Sequence, residues 1–250
     1  ITGGTISPDF ETTSNAIQNN FRGGDEFRNS DAFVAKYAPD GTLTYATYIG
    51  GNGEDFGTDI AVDPITGDIY VTGNTNSVDF PTVNALQNTY GGGDFSGDAF
   101  IVKLSNDGSN ILYSTYLGGQ DNDFSSAIAV DNNRNIYITG YTGATLRFPM
   151  QPIPGFGDFP TTENALQQTL VSEFDQDAFV SKISTDGNQL IYSTLLGGND
   201  TEISQDITVD NNGSAYITGQ TRSLNFPIAN AVQNTIAVSY THLTLPTTLV

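Results

Sequence analysis

The sequence DAFIVKLSNDGSNILYSTYLGG, at residues 98–119, predicts two β-strands joined by a tight turn. Apolar and aromatic residues alternate with small or polar ones in DAFIVKL and again in ILYSTYL, which is typical of strands. The NDG between them contains the residue types that favour a hairpin turn. We therefore expect a β-hairpin here.

The hairpin recurs, and four further motifs accompany it in a fixed order. DAF begins at residues 31, 98 and 177, so successive copies lie 67 and 79 residues apart. The accompanying motifs are YIGG, YLGG or LLGG ending at 51, 119 and 198; IAVD or ITVD ending at 63, 131 and 210; YVTG or YITG at 70–73, 137–140 and 216–219; and NAxQ beginning at Asn15, Asn84, Asn164 and Asn230. Such a period indicates a repeat architecture.

Each period contains four strand-like segments, which in the first complete copy are 59–63, 68–73, 98–104 and 111–117. Four short antiparallel strands per repeat predict an all-β fold of propeller blades. A β-solenoid is the second choice, because its coils are usually shorter. The segment between the second and third strands carries NALQ, which we expect to form one helical turn.

The blade parts are predicted at 1–51, 59–119, 127–198 and 206–236, so residues 1–236 form an open propeller of about three blades. A Pro- and Gly-rich insertion at 147–158 explains the longer second period. Residues 237–250 match no repeat, and we interpret them as an artefactual tail, with a divergent strand as the alternative. We also expect the native gene to extend further at both ends.

These motifs, in this order, resemble the bacterial seven-bladed β-propeller repeat family, often labelled SBBP. The resemblance covers about residues 1–235. It implies a propeller that is commonly part of a large exported or surface-associated bacterial protein. It implies no catalytic residues, because the family has no established common activity.

Composition narrows the choice of partners. Asp and Glu number 28 against 8 Lys and Arg, a formal net charge of −20. This disfavours nucleic acid and anionic membrane surfaces as partners, and no segment approaches the length of a membrane span. There are no cysteines and one histidine, so Cys–His and Ser–His catalytic machinery is not expected.

Acidic residues follow each Gly-Gly pair, and the carboxylate and carbonyl oxygens of these loops could coordinate calcium. The candidate calcium ligands are Glu54, Asp55, Asp121, Asp123, Asp200 and Glu202. The spacing matches neither the EF-hand nor the Gly-rich nonapeptide repeat. Solvated turn acids are therefore the competing and preferred interpretation.

All three lysines of the chain occupy the same repeat position: Lys36, Lys103 and Lys182. We expect each to form an architectural ion pair with a repeat aspartate. The candidate partners are Asp63, Asp131 and Asp210, or Asp31, Asp98 and Asp177. The repeated aromatic residues are expected in the core. Phe148, Met150, Phe156 and Phe159, in and beside the insertion, are the better candidates for a contact surface, with a simple loop as the competing and preferred interpretation.

Three functions remain open at this point. The first is a non-enzymatic scaffold or a protein- or glycan-binding surface, extracellular or at the bacterial cell surface, packed against other blades of a longer chain and without a cofactor. The second is a calcium-stabilised adhesion module. The third is part of a hydrolase or lyase whose active site lies outside these residues.

Overall fold

The computed structural model describes residues 1–23, 29–93, 97–143, 157–172 and 175–236. The tail at 237–250 and most of the insertion at 147–158 lie outside these ranges. Within them the chain forms strands, turns and bends, and no helix is long and apolar enough to cross a bilayer.

The described residues contain thirteen strands, which form four antiparallel sheets. The strands are β1 (Thr2–Thr5), β2 (Asp31–Tyr37), β3 (Leu43–Ile49), β4 (Asp55–Val62), β5 (Ile69–Thr75), β6 (Asp98–Leu104), β7 (Ile111–Leu117), β8 (Asn122–Val130), β9 (Ile136–Gly143), β10 (Gln176–Ile183), β11 (Leu190–Leu196), β12 (Glu202–Val209) and β13 (Ala215–Thr221).

Each sheet is a simple meander, in which every strand pairs with the next one along the chain. The sheets are β1–β3, β4–β7, β8–β11 and β12–β13, and we call them blades 1 to 4. Among the described residues, two blades have four strands, and no sheet closes on itself. The predicted fold class, an open set of four-stranded propeller blades, is therefore confirmed.

The innermost strand of each complete blade is longer than its sequence pattern suggests. In blade 2 it begins at Asp55, four residues before the predicted start at residue 59. The pairing of β4 with β5 shifts register between Gly57 and Asp59, which leaves Thr58 as an extra residue. This bulge interrupts the alternation of side chains and hides the first half of the strand from a period-two search.

The NALQ segment does not form the predicted helical turn. It runs beside the outer strand, where Val83 pairs with Ser114 in an antiparallel bridge. Farther along, the Tyr116 amide donates to the Gln87 carbonyl over 3.2 Å. The segment satisfies backbone groups that would otherwise form an open sheet edge, and it follows the outer strand with bends at Asn84 and Leu86.

The core lies between neighbouring blades and is built from the repeated aromatic residues. Phe100 is fully buried, and its ring packs on Phe80 with centroids 4.6 Å apart. Phe159 packs on Phe179 in the same way at 4.4 Å and is 3% exposed. Our expectation that Phe159 contributes to a contact surface is therefore wrong, because it occupies the core position of the Phe-Pro motif. Phe148, Met150 and Phe156 lie outside the described residues.

Arg134 occupies a turn position where blade 4 has glycine. Its φ is 65°, and the equivalent Gly213 has a φ of 82°. Positive φ brings the side chain of a non-glycine residue against its own backbone. We expect Arg134→Gly to raise the free energy of unfolding by about 1 kcal/mol, measured by urea denaturation. Unchanged or lower stability would show that other contacts of the arginine outweigh this strain.

Candidate functional site

The chain passes from one blade to the next through a Gly-Gly turn that closes over two buried carboxylates. We call the three such places joints 1, 2 and 3. One carboxylate lies at the start of the strand before the outer strand, and the other lies at the start of the inner strand of the next blade. The pairs are Asp31 with Asp55, Asp98 with Asp123, and Asp177 with Glu202, each residue no more than 1% exposed.

At joint 1 both carboxylates accept hydrogen bonds from neutral donors. Asp55 Oδ2 accepts from the Gly51 amide and the Ser77 hydroxyl, both over 2.8 Å. Asp31 Oδ2 accepts from Gln18 Nε2 over 2.7 Å. Gln18 Oε1 in turn accepts from the Gly50 amide over 3.0 Å, so the glutamine links the turn to the strand.

The same network recurs at the other two joints. At joint 2, Gln87 Nε2 donates to Asp98 and its Oε1 accepts from the Gly118 amide over 3.1 Å, while Gly119 donates to Asp123 over 2.6 Å. Gln167 at joint 3 bonds to Asp177 and accepts from Gly197. Glu202, despite its longer side chain, accepts from Gly198 over 2.7 Å. Three copies of one arrangement indicate a structural role.

At joints 1 and 2 the first glycine of the turn is required by the close approach of both carboxylates. A Cβ on Gly50 would lie 2.6 Å from Asp55 Oδ2 and 3.1 Å from Asp31 Oδ1. Gly118 is enclosed in the same way by Asp123 and Asp98. The two acids of a joint therefore face the same small volume.

Burial disfavours the ionised form of these acids, and the hydrogen-bond donors at joint 1 are neutral. Burial raises the pKa of Asp55 to about 7 and that of Asp98 to about 7, and a neighbouring acid adds to the effect in each case. The pKa of Asp177 is raised to about 6 and that of Asp123 well above its usual value, again mainly by burial. The joints are thus sites where protons are held near neutral pH.

The residues predicted as calcium ligands do not share one environment. Asp55, Asp123 and Glu202 are the buried joint acids. Glu54 is exposed, Asp121 is buried and accepts from the Gly157 amide over 3.0 Å, and Asp200 accepts from the Thr201 amide. Across the described ranges no three His, Asp or Glu side chains are grouped so as to hold a metal ion. The carboxylates that lie together in a joint therefore come from two different strands, and not from neighbouring positions of one loop.

Two of the three lysines lie over a tyrosine and beside an aspartate. Lys103 Nζ is 3.3 Å from Asp68 Oδ2 and 5.1 Å from the centre of the Tyr70 ring. Lys182 Nζ is 3.7 Å from Asp131 Oδ2 and 4.8 Å from the centre of the Tyr137 ring. In each case the tyrosine and the aspartate come from the hairpin of the first two strands of the same blade.

The predicted lysine partners need correction for two of the three lysines. Lys103 pairs with Asp68 rather than with Asp63. The turn of blade 2 is one residue longer than that of blade 3, and it places its last residue, Asp68, beside the lysine. Lys36 makes no ion pair among the described residues and donates instead to the Asn106 carbonyl over 2.9 Å.

Among the described residues, the remaining predicted partners do not pair with a lysine. Asp31, Asp98 and Asp177 lie at the opposite end of the strand from the lysine, in the joints. Asp210 accepts from the amides of its own turn. Of the predicted partners, Asp131 is the one that the structure brings to a lysine.

Replacing Lys103 by methionine should lower the free energy of unfolding by about 1–3 kcal/mol, because Asp68 and Tyr70 lose their cation while remaining largely enclosed. Lys36→Met is the matched control, since that lysine is exposed and bonded to a backbone carbonyl. Thermal and urea unfolding of both variants would measure the difference. Equal effects of the two changes would contradict the ion-pair role.

The joint glutamines are the functional residues that sequence reasoning missed. Gln18, Gln87 and Gln167 end the NAxQ motif, and their recurrence was the available signal. We attributed that motif to a helical turn, although a repeated amide side chain also indicates a repeated polar partner. The aspartate of DAF was that partner.

The joint acids contact the backbone and side chains of the protein itself. Catalytic carboxylates must reach a substrate, whereas the joint acids are enclosed and bonded to amides and hydroxyls. Their equivalence across three joints also leaves no joint distinguished from the others.

Comparison with known proteins agrees with this architecture. The profile of a β-propeller repeat, SBBP, matches residues 44–81, 112–146 and 191–227. The chain is also 26% identical over 220 residues to an uncharacterized WD repeat-containing protein, L264, of Acanthamoeba polyphaga mimivirus. That match covers 79% of this chain and 15% of the relative. Each of the three profile matches begins in the outer strand of one blade and ends beyond the second strand of the next blade, so each of them spans a joint.

Proposed function

Because this chain contains three repeats of the SBBP β-propeller family, we propose that it is a non-enzymatic scaffold whose blades present an interaction surface to a protein or glycan. The observation that carries this proposal is the equivalence of the joints. The recurrent acids are the best candidates for catalytic groups, and their carboxylates accept hydrogen bonds that join one blade to the next.

Exposed apolar side chains support a contact surface beside the joints. Val78 and Leu224 follow the buried serines Ser77 and Ser223 at equivalent repeat positions, and they are 76% and 72% exposed. These two side chains occupy the same repeat position in blades 2 and 4, and we propose them as contacts for a partner. The surrounding negative charge favours a basic protein or a neutral glycan over an anionic ligand.

The proposed location is the bacterial cell surface or the exterior. The lack of cysteine and the strongly acidic composition are compatible with export. The propeller scaffold itself would function in any compartment, so the location is tested separately, by fractionating cells that express the native gene.

The binding proposal is tested with immobilised chain against a glycan array and a panel of purified surface proteins. We expect saturable binding that falls at least tenfold in the Val78→Ser, Leu224→Ser double variant. Leu112→Ser, which removes another exposed apolar side chain on an outer strand, is the matched control and should bind as the original chain does.

The non-enzymatic part of the proposal needs its own assay. Polysaccharide and peptide substrates are incubated with the chain, and new reducing ends, unsaturated products and new amines are measured. No turnover above the buffer blank is expected. Reproducible turnover that Asp31→Asn or Asp98→Asn abolishes, while the fold is kept, would overturn it.

A further inference from the structure

The turn between β12 and β13 contains the tripeptide Asn212-Gly213-Ser214. It has the Asn-x-Ser/Thr pattern, without proline in the middle, that marks an asparagine to which an oligosaccharide is attached. The same pattern occurs at one other place in the sequence, Asn199-Asp200-Thr201. Because three residues match such a pattern often by chance, the surroundings of each tripeptide must show whether an enzyme can reach it.

The Asn212 tripeptide lies at the tip of a hairpin, and both its asparagine and its serine are exposed. The turn is held largely by its own residues. Asp210 Oδ1 accepts from the amides of Asn212 and Ser214 over 2.9 and 2.8 Å, and the Gly213 amide donates to the Asp210 carbonyl over 3.0 Å. A hairpin tip of this kind can enter the cleft of an enzyme without loss of the strand pairing beneath it.

The exposure of Asn212 does not depend on which blade packs beside it. The equivalent residue of blade 3 is Asn133, which is exposed although blade 4 packs against that blade. The two hairpins are in contact, since the Tyr137 hydroxyl donates to the Gly213 carbonyl over 3.0 Å. A blade packed in the same way against blade 4 would therefore leave Asn212 accessible.

The Asn199 tripeptide has the same pattern in a different setting. It lies in joint 3, between the Gly-Gly turn and β12. The Asn199 amide donates to Asn225 Oδ1 and the Asp200 amide donates to Ser223 Oγ, both over 2.9 Å, and Thr201 is half-buried. An enzyme would have to open the joint to bind this segment. The second copy of the pattern is therefore an internal control for accessibility.

The turn of blade 3 is an internal control for the pattern itself. Asp131 Oδ1 accepts from the amides of Asn133 and Asn135, both over 2.8 Å, as Asp210 does in blade 4. Asn135 occupies the position of Ser214, so the hydroxyl that the pattern requires is absent from this turn. Exposure and backbone bonding are thus shared by the two turns, whereas the hydroxyl is not.

We propose that Asn212 is an N-glycosylation site that accepts an oligosaccharide from a polyprenyl diphosphate donor. The Asn212 side-chain nitrogen forms a bond to C1 of the first sugar, while the bond between C1 and the diphosphate oxygen breaks. The polyprenyl diphosphate leaves with the electron pair of that bond, and a base of the transferase takes one proton from the amide nitrogen. The inference rests on the proposed exterior location, since this pattern is used in exported proteins.

The test uses the purified folded chain, a purified bacterial oligosaccharyltransferase and an oligosaccharide linked to polyprenyl diphosphate. The intact mass should rise by one oligosaccharide per chain, and peptide mapping should place it on Asn212. Asn212→Gln and Ser214→Ala should each lower the modified fraction at least tenfold. Asn199→Gln is the matched control and should leave that fraction unchanged. Urea unfolding of the three variants checks that each of them is folded.

Three results would overturn the proposal. The first is a folded chain that stays unmodified while the free peptide TVDNNGSAY, residues 208–216, is glycosylated in the same mixture. The second is modification at Asn199 or Asn133 instead of Asn212. The third is modification of Asn212 that Ser214→Ala leaves unchanged. Because the components are purified, the outcome does not depend on where cells place the protein, so failure here is distinguishable from failure of the proposed location or of the scaffold role.

Discussion

The folded chain is expected to lose stability as the pH rises from about 5 to about 8. The folded pKa values of Asp55 and Asp98 are raised to about 7, mainly by burial, from an ordinary value of 3.8. Between these values the folded state holds more protons than the unfolded state, so the free energy of unfolding falls with rising pH. The stabilisation that these two carboxyl groups provide is fully present below about pH 4 and is lost as the pH rises to about 7.

The expected loss is about 2 kcal/mol for each of these two joint acids between pH 5 and pH 8. Asp177, with a pKa of about 6, adds a smaller loss at the lower end of this window. Turn acids such as Asp63 and Asp131 have lowered pKa values, so their stabilisation is lost only as the pH falls below about 4. Maximum stability is therefore expected near pH 4, as measured by urea unfolding across the range.

Asp55→Asn isolates one joint. The amide oxygen can still accept from the Gly51 amide and the Ser77 hydroxyl, while its NH₂ group can donate toward Asp31. The variant should match the original chain at pH 5 and exceed it by about 2 kcal/mol at pH 8. Asp9→Asn, at an exposed position, is the control for the change in net charge.

Two observations would contradict this account. One is a free energy of unfolding that rises from pH 5 to pH 8. The other is a loss of stability in Asp55→Asn at pH 8 that accompanies a calcium-dependent rise in the melting temperature of the original chain. The second result would return the joint acids to the role of calcium ligands.

Gly187→Ala is expected to lower the free energy of unfolding by about 3 kcal/mol or more. Gly187 lies in the turn between β10 and β11 with a φ of 76°, and it covers Tyr113 on the outer strand of blade 2. An added Cβ would lie 2.1 Å from the tyrosine ring, which is 2% exposed and has no room to move. The change therefore combines backbone strain with the displacement of a buried ring between blades.

Gly41→Ala is the matched control for this prediction. Gly41 lies in the equivalent turn of blade 1 with a φ of 85°, and a Cβ there would meet nothing within 4 Å. Gly41→Ala should lower the free energy of unfolding by about 1–2 kcal/mol, which is the effect of backbone strain alone. The difference between the two variants measures the packing of one blade on the next, and equal losses would show that the turn of blade 3 does not support blade 2.

The repeat made much of the fold predictable from sequence. DAFIVKL and ILYSTYL coincide with β6 and β7, because the pairing of these two strands shifts register only at the end next to their turn, between Lys103 and Leu104. The prediction began the inner strand at residue 59 instead of Asp55, because the bulge and the acidic first residue resemble a loop in sequence. Asp55 was interpreted as a solvated turn acid, since a single motif does not show that a neighbouring strand and a Gly-Gly turn enclose it.

The sequence by itself determined the number of strands per blade, their order, the open arrangement of blades and the recurrence of each polar residue, because these follow from local alternation and from the period. Tertiary structure decided the partners. Asp31 meets Asp55 and Gln18 only when the third strand, the Gly-Gly turn and the NAxQ segment converge. Lys103 meets Asp68 rather than Asp63 because the turn places the later residue closer. Distances between segments depend on how blades pack, and no periodicity along the chain encodes them.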